Sequence, residues 1–151
     1  MRIIVQRSLN SNVIVENKIV GSIDKGLVLL VGFTHKDTSK DIDYMIRKVL
    51  NMRIFDDENG IMNKSILDIK GSILSISQFT LYADCKKGNR PSYINAMSHN
   101  DASIMYDEFN KKLSEFVKVE TGVFGEDMLV NIVNDGPVTI MLESGDTSDK
   151  R

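Results

Sequence analysis

Two short stretches hold the side chains that could do chemistry. Ser77-Gln78-Phe79-Thr80-Leu81 sets a serine, an amide and a threonine around one aromatic ring. It follows residues 71–76, which read as a buried strand through Ile73, Leu74 and Ile76. A strand that ends in hydroxyls and an amide can offer a nucleophile or donors for an oxyanion. Its Ser and Thr can equally well do no more than bond to nearby backbone, the usual role at such a position. A threonine nucleophile needs a general base, and no His, Lys or carboxylate stands beside Thr80. The second stretch is Asn134-Asp135-Gly136-Pro137-Val138-Thr139. Here Pro137, without an N–H and with a fixed φ, falls between two strand-like runs, which confines it to a strand start, an edge or a turn.

Between the two lies Lys86-Lys87-Gly88-Asn89-Arg90-Pro91-Ser92, a basic loop without apolar pattern. Three cations suit contacts to phosphate, and they suit a solvated loop just as well. The net charge of -2 excludes bulk electrostatic binding of nucleic acid, so any such contact rests on a local patch. No metal or cofactor is expected. The single Cys85 has no Cys or His at zinc spacing, and His35 and His99 lie far apart. The acidic run Asp56-Asp57-Glu58 lacks the ligand spacing of a calcium loop and reads as a solvated turn.

The elements that must position these stretches follow from apolar periodicity. A chain of 151 residues with 42% hydrophobic and 26% charged side chains is one soluble domain able to bury a core without staples. No run is long enough to cross a bilayer. The N-terminus turns polar too soon for a signal peptide, which predicts a cytoplasmic protein. Residues 3–8, 12–16, 18–23 and 27–33 read as four strands in a meander. Thr38 with Asp41 marks a capping box for a helix whose core face is Ile42, Met45, Ile46, Val49 and Leu50. Residues 53–55 read as a short extended piece, and residues 65–69 as one helical turn. Ser98 with Asp101 caps a longer helix with the apolar stripe Ala102, Met105, Tyr106, Phe109, Leu113 and Phe116. Residues 117–121, 127–133 and 138–142 complete the strand set. The expected fold is α/β of the α+β type, with mostly antiparallel sheets curling toward a barrel and two main helices. Residues 1–142 form the single domain and residues 143–151 a polar tail.

Taken together, Ser77-Gln78-Phe79-Thr80-Leu81 and Asn134-Asp135-Gly136-Pro137-Val138-Thr139 resemble the two signature motifs of the D-aminoacyl-tRNA deacylases, also called D-tyrosyl-tRNA deacylases. Val5-Gln6-Arg7, Gly21-Ser22-Ile23, Lys25-Gly26-Leu27, Arg53-Ile54-Phe55, the basic loop and Gly122-Val123-Phe124-Gly125-Glu126-Asp127-Met128 fit the same pattern in the same order. Glu126 departs from it, standing where many members carry a small residue.

The resemblance implies hydrolysis of the ester between a D-amino acid and the 3' end of tRNA, a chiral proofreading step in translation. Glycine, lacking a side chain to be rejected, could pass as well. It implies Ser77, Gln78, Phe79 and Thr80 as the catalytic segment, with the ribose hydroxyl of the terminal adenosine helping to activate water. It implies Gly136 and Pro137, joined by a cis bond, as the chirality filter, and a homodimer in which they reach into the other subunit's site. Leu81, Asn134, Val138, Thr139, Phe124 and Met128 would line the substrate, and Lys86, Lys87 and Arg90 would hold the tRNA acceptor end. His35 and His99 belong to neither motif. Two other readings stand beside it: a module that holds a nucleotide or tRNA end without hydrolysis, to which replication factors linked to the family lend weight, and a small-molecule esterase with Ser77 or Thr80 as nucleophile.

Overall fold

The computed structural model describes residues 1–145. β1 (Arg2–Val15) and β2 (Lys18–Gly32) form one long antiparallel hairpin, paired from Arg2 opposite Gly32 to Val15 opposite Lys18. Its turn is Glu16-Asn17, both with positive φ, as a tight hairpin turn that follows the strand twist requires. Four strands were expected here and two are found. The polar residues at 8–11 and 24–26 do not break the pairing, because Ser8 lies opposite Gly26 and Leu9 opposite Lys25.

α1 (Ser39–Asn51) starts at the Thr38–Asp41 capping box and buries Ile42, Met45, Ile46, Val49 and Leu50. β3 (Phe55–Asp56) and β4 (Met62–Lys64) make a small separate hairpin, and α2 (Ile66–Ile69) is one turn with its own capping box from Ser65 and Asp68. β5 (Ser72–Ser77) runs parallel to β2 and passes into a 3-10 turn at Phe79–Tyr82. α3 (His99–Leu113) starts at Ser98, whose hydroxyl accepts from the Asp101 N–H. β6 (Lys118–Thr121) lies parallel on β5, and β7 (Leu129–Glu143) returns antiparallel along β1.

The result is one open five-stranded mixed sheet in the order β6-β5-β2-β1-β7. Antiparallel pairing predominates along the long β1, β2 and β7, with β5 and β6 parallel, and the sheet is not closed into a barrel. Helical crossovers deliver β5 and β6, and crossovers yield parallel strands. α1 and α3 cover one face of the sheet, packing on Ile3, Val5, Leu27, Leu29, Val31 and Ile73. The other face buries a smaller cluster of Val13, Ile23, Val28, Leu74 and Ile76. With helices supplying the second layer, the sheet does not have to close on itself to bury its apolar face.

Two further differences from the expected elements matter. Phe116 lies beyond α3 and is 57% exposed, so the buried stripe ends at Leu113. Glu143 still belongs to β7, and Ser144 is fully buried with its hydroxyl donating to Asp41 Oδ1 at 2.8 Å. The rest of the expected polar tail, residues 146–151, lies outside the described residues.

Candidate active site

β5 carries the first stretch to the edge of a cavity. Ser77 closes the pairing with Val31, and the Gln78 N–H donates to the Val31 carbonyl at 2.7 Å, so the strand geometry holds through Gln78. The chain then tightens into the 3-10 turn, and Gln78 Nε2 donates to Thr80 Oγ1 at 2.5 Å. Beneath Ser77, the Tyr106 hydroxyl donates to the Ser75 carbonyl at 2.7 Å and pins α3 to β5. Burial pushes the Tyr106 phenol above its ordinary pKa, so it stays a donor.

The cavity holds about 410 Å³, within the range of small-ligand sites. Ser77 and Phe79 form one wall; Tyr93, Ala96 and Met97 form the next. His99 and Ala102 from α3 and the Phe124-Gly125 loop close it. Its rings meet edge to face: Phe79 on Tyr93 and His99 on Phe124, each pair with centroids 5.0 Å apart. A second, much smaller cleft, lined in part by the same Ser77, Phe79 and Phe124, reaches Gln78, Gly32 and Phe33.

The second stretch is not a turn between two strands, as its proline suggested, but an excursion within β7. Asn134 lies opposite Ser8 and Thr139 opposite Gln6, so residues 135–138 loop out against Arg7 alone. Asn134 closes the base, its Nδ2 donating to the carbonyls of Arg7 and Val138 at 3.0 Å each. Thr139 Oγ1 donates to Asn134 Oδ1 at 3.1 Å. At the tip, the Gly136–Pro137 bond is cis and Gly136 has φ 125°, with a would-be Cβ only 2.8 Å from the Val138 nitrogen. Arg7, 8% exposed, holds the excursion from below. Its guanidinium donates to the carbonyls of Ile54 and Asp135 at 2.9 and 3.3 Å and pairs with the Asp135 carboxylate at 3.2 Å.

These two halves do not meet within one chain. Three strand spacings and about four residues of register separate Gly136 from Ser77, roughly 20 Å in all.

The sequence matches the family described as D-Tyr-tRNA(Tyr) deacylase over residues 4–143. The chain belongs to that family. A D-aminoacyl-tRNA deacylase is a hydrolase that removes D-amino acids from tRNA, and the protein is such an enzyme. A solved structure described as a c-Myc DNA unwinding element binding protein superposes with a TM-score of 0.90 at 39% identity, over 95% of this chain and 98% of that one. A second, described as a probable eukaryotic D-amino acid tRNA deacylase, has a TM-score of 0.80 over 93% and 97%. At 18% identity it speaks for the fold alone.

In this deacylase the expected residues fall in several separate places. Ser77, Phe79 and Phe124 line the cavity, with Gln78 and Thr80 in the adjoining turn. Gly136 and Pro137, with Asn134, Val138 and Thr139 at their base, stand on the far edge of the sheet. Met128 packs with Val130 and Ile132 against the smaller apolar cluster, away from the cavity. Leu81 contributes its carbonyl, which accepts from Arg2 Nη1 at 2.9 Å.

Lys86, Lys87 and Arg90 are exposed on a loop closed by mutual backbone bonds of Asp84 and Ser92. Lys86 borders a second, polar cavity of about 450 Å³ with Arg2, Tyr82, Asp84 and Asn95. Among the described residues no three His, Cys, Asp or Glu side chains gather to hold a metal, and no helix is long and apolar enough to cross a membrane.

Sequence reasoning missed Tyr93, Ala96, Met97 and His99, read Ala102 only as core and named Gly125 only within the family pattern. The segment before Ser98 has no periodicity. It reaches the cavity because Met97 N–H donates to the Phe33 carbonyl and Ala96 bridges Thr34.

Proposed function

We propose that the deacylase works as a homodimer in the cytoplasm, with Gly136 and Pro137 of one subunit completing the cavity at Ser77–Thr80 of the other. The observation that carries this is the separation of two well-built half-sites in one chain, roughly 20 Å at ordinary strand spacing. The exposed apolar side chains of the edge strand β7, Leu129, Val133 and Met141, support a partner there.

An aminoacyl ester is already activated, so the site has to place it and stabilise the tetrahedral oxyanion. The turn at Phe79 and Thr80 offers backbone N–H groups, since the first donors of a helical turn have no partner within it. The Gln78 amide uses one N–H on Thr80 and keeps the other. One such donor typically lowers the barrier by about 2.7 to 4 kcal/mol. The ribose 2'-hydroxyl of the terminal adenosine assists water; the water oxygen bonds to the acyl carbon, the bond to O3' breaks, and the proton ends on O3'.

The carbonyls of Gly136 and Pro137 accept from the α-ammonium of a D-residue, and an L side chain would collide with the same backbone. The expected result is hydrolysis of D-tyrosyl-tRNA at least about a hundredfold faster than L-tyrosyl-tRNA, a ratio of the size that rejection by misplacement gives. Glycyl-tRNA should fall between. Equal rates for the two enantiomers would overturn the filter.

Lys86, Lys87 and Arg90 contact phosphates of the acceptor end. Changing all three to Glu should raise KM for D-tyrosyl-tRNA about tenfold or more. It should also flatten the salt dependence by about one unit of log-log slope for each phosphate no longer neutralised. An unchanged KM makes the loop a solvated one.

One second reading has an observation behind it. The description of the 39%-identical structure names binding to a DNA unwinding element, which favours a surface that binds nucleic acid without hydrolysis. The D-tyrosyl-tRNA assay decides between the two readings.

A further inference from the structure

The 3-10 turn at Phe79–Tyr82 has a cavity at each end. Phe79 lines the first, and Tyr82 lines the second, polar one together with Arg2, Thr34, Asp84, Lys86 and Asn95. The two share a floor. Ala96 of the first pairs with Thr34 of the second, and the Thr34 hydroxyl donates to the Asn95 carbonyl at 2.6 Å. From Phe79 to Tyr82 the turn rises about 6 Å, at roughly 2.0 Å per residue, a step that one nucleotide of a single strand spans.

The second cavity gathers cations and unspent donors. Arg2 uses two of its guanidinium N–H groups, Nη1 on the Leu81 carbonyl at 2.9 Å and Nε on Glu143 at 3.2 Å, and keeps the others. Lys86 makes no ion pair among the described residues. Tyr82 is only 7% exposed, with the Arg2 guanidinium carbon 4.5 Å from its ring centroid. Its hydroxyl has no hydrogen-bond partner among the described residues, yet it is not sealed from solvent, so it opens on the cavity that its side chain lines. Burial pushes the phenol above its ordinary pKa and keeps it a donor.

Two cations and a phenol donor suit a phosphate group. Asp84 also borders the cavity, its Oδ1 accepting from the Lys86 N–H at 2.9 Å. A carboxylate repels phosphate but accepts from a sugar hydroxyl or a base amino group. The set therefore fits a nucleotide better than a bare anion, and about 450 Å³ leaves room for the attached ribose.

We infer that this cavity is a subsite for the penultimate nucleotide of the tRNA, in which Arg2, Lys86 and the Tyr82 hydroxyl hold the phosphodiester 5' to the terminal adenosine. This rests on the deacylase reading: a strand whose terminal ester lies at the turn passes over Leu81 toward Tyr82. The contact positions the strand and takes no part in bond breaking.

Three enzymes, wild type, Arg2→Gln and Tyr82→Phe, are assayed on D-tyrosyl esters of adenosine, of the dinucleotide CpA, and of CpA with a neutral methylphosphonate linkage. Tyr82→Phe keeps the ring beside Arg2 and removes only the hydroxyl. The wild type should favour the CpA ester over the adenosine ester about ten- to a hundredfold in kcat/KM, the size of one hydrogen bond to a charged group, with the difference carried by KM. Added salt should shrink that ratio. Tyr82→Phe should cut it about fivefold, and Arg2→Gln should remove most of it. The methylphosphonate ester should react like the adenosine ester in the wild type, and Arg2→Gln should no longer distinguish the two CpA esters.

Equal kcat/KM for the CpA and adenosine esters in the wild type overturns the inference. So does a ratio left at its wild-type value by either variant, since that residue would then only brace the turn. A methylphosphonate as good as the phosphodiester overturns it too. Binding of unacylated CpA, read without hydrolysis, separates the two levels of argument. Binding weakened by both variants in a protein that cleaves none of the esters would sink the deacylase mechanism and leave the subsite standing.

Discussion

A Gly136→Ala enzyme is expected to lose about a hundredfold in kcat/KM on D-tyrosyl-tRNA, a loss of the size that a misplacement of about 1 Å can produce. Gly136 sits at φ 125°, where L side chains are strained, and an added Cβ would lie 2.8 Å from both the nitrogen and a methyl of Val138 and 3.1 Å from Arg7 Nη2. Nothing there can yield without moving the Gly136 and Pro137 carbonyls proposed to form the filter, because Arg7 is itself fixed by the Ile54 and Asp135 carbonyls. The excursion is exposed at Gly136 and Pro137 and carries little of the core. Thermal unfolding should therefore shift far less than activity does. A Gly136→Ala enzyme with full activity and unchanged preference for the D-enantiomer would remove the filter from this loop.

The second large effect is expected from the substrate. Replacing the terminal 2'-hydroxyl by hydrogen should lower kcat about a thousandfold, in the middle of the range for a proton-transfer group. Thr80→Ala, by comparison, should lower it less than about tenfold, the loss expected from one neutral hydrogen bond. The Thr80 hydroxyl oxygen is engaged as acceptor for Gln78 Nε2 at 2.5 Å. That contact makes it a support for the amide, and among the described residues no basic side chain accepts from the Thr80 hydroxyl. The two measurements together are decisive. If Thr80→Ala falls to the uncatalysed rate while the deoxy substrate reacts normally, Thr80 is the nucleophile and substrate assistance is wrong.

Much of this enzyme was legible from residue order. Apolar spacing and capping signals located α1 at Thr38 and α3 at Ser98, because a side-chain cap and a 3.6-residue stripe are local physics. The Ser77–Leu81 stretch falls at the end of β5 because the apolar run Ile73-Leu74-Ser75-Ile76 before it is buried as a strand. Its two motifs also carried the family.

What the order of residues did not contain was everything that depends on which strands become neighbours. The polar residues at 8–11 and 24–26 look like breaks until their pairing across β1 and β2 is known. The open mixed sheet follows from helices covering one face, a packing outcome that strand patterns cannot express. Gly136-Pro137 reads as a turn, yet Ser8 and Gln6 hold both of its flanks in register on β1.

His99 shows the division most clearly. In sequence it is an isolated histidine 22 residues after Ser77 and 25 before Phe124. It shares a cavity with both because the Met97–Phe33 bond and the Tyr106–Ser75 bond bring the start of α3 against the end of β5. Sequence by itself determined the local elements, the chemical vocabulary and the family. Only the tertiary structure decided which of those groups face the same space, since long-range pairing sets distances that no local spacing encodes.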